Sequence, residues 1–306
     1  MTLIFSALAP VFLMIMFGYI LKNRALISDP FWAPAEKITF YYFFPSLLLA
    51  NTAKAEFANI SVTPIILATT CGILIIAATT LWLRPHIKVD GPAFTSIFQG
   101  TIRPNVYLGI SASFALFDSA GLVLVSVLIA VSVPLVNMLS VIILVRYASK
   151  TRDIPNWSQT ISPVIRNPLI IACALGASLN VTEIGLPPLI GPFLEISGHA
   201  AMPLGLLAVG AGLDFKAMRQ AGFTVGLTAA TKLIALPLIT YLACLVMDID
   251  GLSQMVIVLY AGLPVSATSY VLARQMGGET VLLAGTITAT TVIAMITMPL
   301  TVLLLN

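Results

Sequence analysis

Apolar runs about 20 residues long, the length that carries an α-helix across a ~30 Å hydrocarbon core, recur from one end of this chain to the other. They lie near residues 3–21, 34–53, 62–83, 92–117, 120–145, 163–180, 189–213, 222–246, 252–275 and 280–305, so the reading is an all-α membrane protein with ten transmembrane helices. No stretch between the runs has room for a soluble domain. Of 306 residues, 59% are apolar and only 9% charged, a balance that a soluble protein of this size would not need to cover its surface. The first run has no basic residue before it and is too long for the apolar core of a signal peptide, so it is expected to stay.

The net charge of +3 gains meaning from its distribution. Lys22, Arg24, Lys37, Arg84, Lys88, Arg146, Lys150, Arg152, Arg166, Lys216, Arg219 and Arg274 all fall on the side of the odd-numbered loops, and Lys54 alone falls on the other. By the positive-inside rule the odd loops are cytoplasmic, which predicts an inner-membrane protein with both termini on the periplasmic or extracellular face. Cys71, Cys173 and Cys244 sit inside apolar runs without CxxC or CxxH spacing and read as packing residues. With His86 and His199 as the two histidines, a metal site has little to draw on, and no cofactor is expected. The basic loops lack interleaved aromatics, which argues against nucleic acid as a partner.

A shift of 158 residues superimposes Pro10 on Pro168, Gly18 on Gly176, Leu21 on Leu179, Pro34 on Pro192, Ile38 on Ile196, Pro45 on Pro203 and Phe57 on Phe215. Two inserted residues later, Pro104 falls on Pro264. Five spans end on the opposite face from where they began, so the second copy is inverted. The predicted organisation is a first repeat over 1–147, a cytoplasmic linker over 148–162 and a second, inverted repeat over 163–306. Inverted repeats give one unit two nearly equivalent packings, open outward or inward, which is the basis of alternating access in secondary transporters.

Pro104 and Pro264 lie near the centres of spans 4 and 9, beside glycine and small polar residues. A proline within a helix removes a donor and frees a carbonyl, and lipid offers nothing to satisfy them. Paired breaks at one depth therefore read as unwound segments lining a cavity, whereas Pro10, Pro45, Pro134, Pro203, Pro237 and Pro299 read as ordinary kinks. Each half-helix after a break starts with free N–H groups that favour an anion, at Asn105 in one case and at Val265 and Ser266 in the other. Arg103 lies about 12 residues into its span, near the midplane, where an arginine costs at least ~2.5 kcal/mol. It is a candidate carboxylate ligand; the alternative is a bond to the carbonyls freed beside Pro104.

The motifs Phe43-Phe44-Pro45-Ser46-Leu47-Leu48, Pro104-Asn105 with Gly109-Ile110, Ile165-Arg166-Asn167-Pro168, Lys232 before Pro237, and Leu263-Pro264 with Tyr270-Val271-Leu272-Ala273 cover essentially the whole chain. In order and spacing they resemble the auxin efflux carrier family, bacterial branch, related to plant PIN proteins and to bacterial malate and malonate carriers. The resemblance implies a fold like that of the bile-acid sodium symporters, with proline-broken helices 4 and 9 crossing. It also implies a scaffold of spans 1, 2, 6 and 7, a transport domain of spans 3–5 and 8–10, elevator-like transport of organic anions, and a homodimer. Asn105 matches the asparagine at the plant crossover. Val265 departs from the pattern, since a polar residue often follows that proline. The long cytoplasmic loop of the plant proteins is replaced here by about 16 residues. The acid in their span 3 has no counterpart between Val62 and Leu83, so their coupling scheme does not transfer.

Lys232 lies about ten residues into span 8 and fits either a structural counter-charge bonding carbonyls, the preferred reading, or a titrating switch. Glu195 and His199 share a face of span 7 and fit a tie between helices or at a dimer contact better than a proton relay. Asn137 is placed to reach the crossover and Asn51 to line the domain interface; ligand contact and interhelical hydrogen bonding fit each. The predicted binding set is thus Arg103, Pro104, Asn105, Pro264, Val265, Ser266, Asn137 and Asn51. The expected function is secondary transport of a small organic anion, a carboxylate of the auxin-like or dicarboxylate type, with H+ or Na+ as candidate coupling ions. A sodium-coupled symporter of bile-acid type is the nearest alternative, with Thr101, Ser266, Ser269 and carbonyls as its oxygen ligands. A channel is a remote alternative. So is a membrane enzyme, since no nucleophile and base pair is visible.

Overall fold

A computed structural model describes residues 2–54, 62–148, 166–220 and 222–305. The predicted linker over 148–162, apart from residue 148, lies outside the described residues, as do Phe57, Lys150 and Arg152. The described chain is helical throughout, and its β-type pairing is a single isolated bridge.

The helices in chain order are α1 (Thr2–Asn23), α2 (Asp29–Ile38), α3 (Phe44–Ala53), α4 (Val62–Trp82), α5 (Gly91–Ile102), α6 (Val106–Tyr147), α7 (Pro168–Val181), α8 (Ile190–His199), α9 (Ala201–Ala211), α10 (Phe215–Gln220), α11 (Gly222–Ala230), α12 (Leu236–Val246), α13 (Gly251–Ala261), α14 (Thr268–Met276) and α15 (Thr280–Leu305). Among the described residues, six helical stretches are long and apolar enough to cross a bilayer: Ile4–Asn23, Val62–Trp82, Val106–Tyr147, Ile190–Ala211, Gly222–Val246 and Thr280–Leu305. The long α6 is two helices joined at Asp118, whose φ of 51° and ψ of −142° turn the chain between them.

The prolines act in three ways. Pro10, Pro134 and Pro299 sit inside continuous helices. Pro45 and Pro237 each follow a five-residue π-helical turn, Thr39–Phe43 and Thr231–Ala235. A proline ring clashes with the carbonyl four residues back, and the wider π turn shifts that carbonyl aside. At Pro104 the helix stops. Asp90 caps α5 by accepting the Ala93 amide at 2.9 Å, Pro92 occupies the first turn, and the helix ends at Ile102 because Arg103, preceding a proline, takes an extended conformation with φ −86° and ψ 111°.

The described chain divides into two compact units. The first draws on Met1–Val62, Val106–Ala130 and Ile165–Gly212. Within it α1 packs on α9, and α3 packs on α7 and α8. Both main seams depend on glycine. A Cβ on Gly18 would lie 2.2 Å from the Leu207 carbonyl oxygen, and one on Gly176 would lie 2.9 Å from the Leu49 carbonyl oxygen. Such close backbone approach is how helices gain contact where lipid supplies no hydrophobic drive. Phe44 stacks on Tyr107 with ring centroids 4.7 Å apart.

The second unit comprises Thr63–Asn105, Val131–Val164 and Leu213–Asn306. Here α15 is the common partner of α5, α10, α11, α13 and α14. Its core includes Ile73, Ile76, Phe94, Phe98, Ile102 and Leu236. Both interrupted regions, 103–105 and 262–267, belong to this unit.

Candidate functional site

The two interruptions pair with each other. Pro104 and Val265 form an antiparallel bridge, in which the Asn105 amide donates to the Pro264 carbonyl at 2.8 Å and the Ser266 amide donates to the Arg103 carbonyl at 3.3 Å. Prolines stop both helices, and unwound backbone inside an apolar protein must find partners nearby. Each break supplies what the other lacks. Between them Val265 donates to the Thr290 Oγ1 on α15 at 3.1 Å.

The carbonyl at the end of α13 is met differently. Lys232, in the π turn after α11 and fully buried, donates from Nζ to the Ala261 carbonyl at 2.7 Å. Next to Ala261, the Tyr260 hydroxyl pairs with the Ser132 Oγ at 2.7 Å. A small cavity lies beside Pro104, walled by Thr69, Ile102, Lys232, Tyr260 and Ala261 among others, with free space for about one water molecule.

Arg103 is 6% exposed. Its Nη2 donates to the Thr268 Oγ1 at 3.3 Å, and Thr268 shares a 2.8 Å hydrogen bond with the Ser266 Oγ. Its Nη1 is buried and has no partner among the described residues. The salt bridge found among the described residues joins Lys54 to Glu195, so no described carboxylate pairs with Arg103 or Lys232. Two buried cations of one unit thus stand at its paired helix breaks. In a medium of low dielectric such positive charge favours an anion strongly over a neutral or cationic solute.

The predicted site residues separate into groups. Arg103, Pro104, Asn105, Pro264, Val265 and Ser266 come together at the bridge, and Lys232 bonds the Ala261 carbonyl beside it. The half-helix after Pro264 begins at Thr268, two residues beyond Ser266. The amides of Asn105, Val265 and Ser266 are engaged within the protein, whereas Arg103 Nη1 is left open among the described residues. Asn137 is half-buried on α6. Asn51 belongs to the other unit, where its Nδ2 donates to the Leu47 carbonyl of its own helix at 2.8 Å. Glu195 pairs there with Lys54, both about half exposed, and His199 is exposed.

Thr268 and Thr290 were not among the predicted site residues, and nor was the Tyr260–Ser132 pair. A signal existed for Thr290: Thr286, Thr288, Thr290 and Thr291 crowd one apolar helix and all are buried. Threonines spaced this way usually satisfy their own helix carbonyls, as Thr286 does at Leu282, and so they resemble packing residues in a sequence.

An uncharacterized transporter of Methanothermobacter thermautotrophicus is 24% identical over 294 residues, covering 95% of this chain and 94% of that protein. The family model described as membrane transport protein matches residues 3–302. The chain therefore belongs to the membrane transport protein family, the auxin efflux carrier family that its motifs resemble.

Proposed function

We propose that this transporter is a secondary carrier of small organic anions, with the substrate carboxylate held by Arg103 at the paired breaks of spans 4 and 9. The observation that carries the reading is the buried guanidinium, whose Nη1 has no partner and which pairs with no carboxylate among the described residues. A family of membrane transport proteins makes transport the frame for that site, and broken helices at mid-membrane are where secondary transporters hold anionic groups.

The proposed architecture is ten spans in two inverted repeats, both termini outside the inner membrane. A contact pair supports the repeat. Gly18 meets the backbone of Leu207, and Gly176 meets that of Leu49; adding 158 to 18 gives 176, and subtracting 158 from 207 gives 49. Each contact becomes the other under the offset, as two copies related by a twofold axis require. An elevator-type displacement of a transport domain against a scaffold is the proposed motion. It draws support from the grouping of spans 1, 2, 6 and 7 in one compact unit and of spans 3, 8, 9 and 10 in the other, with residues 106–130 grouped with the first.

The test is counterflow in sealed vesicles containing the purified protein, with a panel of dicarboxylates, monocarboxylates and indole acids as competitors. Saturable counterflow is expected. Arg103→Gln, which deletes a hydrogen bond to charge of about 1.5–3 kcal/mol, is expected to weaken the competing anion by about tenfold or more. Linear flux without counterflow would identify a pore, and unchanged competition by every anion in Arg103→Gln would remove the arginine from the site. Imposing proton and sodium gradients separately on the same vesicles identifies the coupling ion.

A further inference from the structure

Gln99 lies in α5 one helical turn before Arg103 and is fully buried, yet neither its Oε1 nor its Nε2 has a hydrogen-bond partner among the described residues. The Ser269 Oγ, at the start of α14 and also fully buried, is in the same condition. Buried amides and hydroxyls are nearly always paired, because leaving them unmet costs the whole of their desolvation. Two such residues close to Arg103, whose Nη1 is likewise unmet, need a common explanation.

Their placement is fixed by neighbours. Ser96, three residues before Gln99, shares its face of α5, and Arg103, four residues after it, directly follows the end of that helix with its amide still bonded to the Gln99 carbonyl at 3.0 Å. They bond to the two ends of α14, Ser96 to the carbonyl of Glu279 in the turn that follows it at 2.8 Å and Arg103 to the hydroxyl of Thr268 at its start at 3.3 Å. Gln99 therefore lies on the α14 side of α5, between two cross-links, and Ser269 directly follows the Thr268 that makes one of them.

We propose that Gln99 and Ser269 form a second subsite, which hydrogen-bonds a neutral hydroxyl or amide group of an organic monoanion whose carboxylate is held by Arg103. The inference rests on the Arg103 reading and narrows its substrate class. An amide offers one acceptor and a two-proton donor, matching a group that both gives and takes a hydrogen bond. A second ionised carboxylate does not fit, since Lys232 is committed to the Ala261 carbonyl and a buried charge needs a charged or strongly donating partner. The Arg103 amide keeps the helical bond to the Gln99 carbonyl, so the two residues start ~6 Å apart as an i, i+4 pair does, the separation of the two ends of a four-carbon hydroxy acid.

The test compares binding of 4-hydroxybutyrate and butyrate to the purified full-length transporter, wild type and variant, by competition and by thermal unfolding. A site built to bond a hydroxyl rejects the analogue lacking it, so the wild type is expected to prefer 4-hydroxybutyrate by about tenfold or more. Gln99→Met and Ser269→Ala are expected to bring that ratio towards one. Without ligand both variants should melt no lower than wild type, because each loses polar atoms that the empty site leaves unmet. Ser269→Ala removes one small atom and keeps the test open if Gln99→Met does not fold. A ratio near one in the wild type, or a ratio that survives both substitutions, overturns the subsite. Lower melting with the ratio intact also overturns it, by making the two residues structural. If both acids bind equally and Arg103→Gln loses both, the subsite alone falls; if neither binds the wild type, the subsite falls too, and the Arg103 reading falls with it only when no anion of the wider panel loses competition in Arg103→Gln.

Discussion

Lys232 shows how opposing energies are balanced at a single residue. Its ammonium is fully buried, which costs several kcal/mol for an ion without a counter-charge. The 2.7 Å bond to the Ala261 carbonyl returns about 1.5–3 kcal/mol, less than the cost. Stability alone would therefore select an apolar residue here. We expect Lys232→Met to melt in detergent at the same temperature as wild type or higher, while its affinity for transported anions falls several-fold as positive charge leaves the unit; a large drop in melting temperature would show instead that the lysine is there to hold the break. Such exchange of stability for function is common at binding sites. The sequence pointed to this lysine, as it did to Arg103, because a charge in an apolar run is conspicuous. Gln99, Thr268 and Thr290 were less visible, since neutral polar residues in spans are common and only the contacts separate those satisfied by their own helix from those left unmet. Asn51 illustrates the first kind, its Nδ2 meeting Leu47 one turn back.

Among elements, the seams of the first unit are set by glycines whose absence of a side chain brings backbones together. The nearest atoms to a Cβ on Gly18 or Gly176 belong mostly to the facing backbone, at 2.2–2.9 Å for the closest two contacts quoted above, and a backbone cannot rotate away as a side chain can. Gly18→Ala and Gly176→Ala are expected to destabilise by about 1–3 kcal/mol through overpacking. Gly226, also helical, has nothing within 4 Å of its Cβ position, so Gly226→Ala should stabilise by about 0.5–1 kcal/mol through lost backbone freedom. Unfolding of the three variants in one detergent checks both signs, and a stabilising Gly18→Ala would mean that α1 and α9 do not pack this closely. Helix limits were legible in the sequence because each long apolar run ends in charges or a turn residue; α4 and α15, for example, match 62–83 and 280–305 closely. The π turns before Pro45 and Pro237 were not legible, since a proline in a run announces a disturbance without saying whether the helix kinks, widens or stops. What separates Pro104 and Pro264 is that their breaks can satisfy one another, a long-range pairing that no local pattern encodes.

At the scale of the whole molecule, the arrangement of charge and the membrane fix one another. Apolar length determines which segments enter the bilayer, but only the loops determine which way up they lie. With twelve loop cations on the odd-loop side against Lys54 on the other, insertion in the opposite sense would carry most of these basic residues across the membrane, which short loops resist. The proposed orientation therefore makes a prediction that does not depend on substrate. Lys88, exposed between α4 and α5, should lie in the cytoplasm, and Asp248, exposed between α12 and α13, should lie outside. The native cysteines Cys71, Cys173 and Cys244 are at least half-buried and can be replaced by alanine or serine to give a blank background. On that background a membrane-impermeant maleimide applied to intact cells should label Asp248→Cys at once and Lys88→Cys only after permeabilisation. The reverse pattern would invert the molecule. Equal labelling of both in intact cells would place the two loops on one side with an even number of crossings between them, whereas two inverted five-span repeats put an odd number, spans 4 to 8, between these loops.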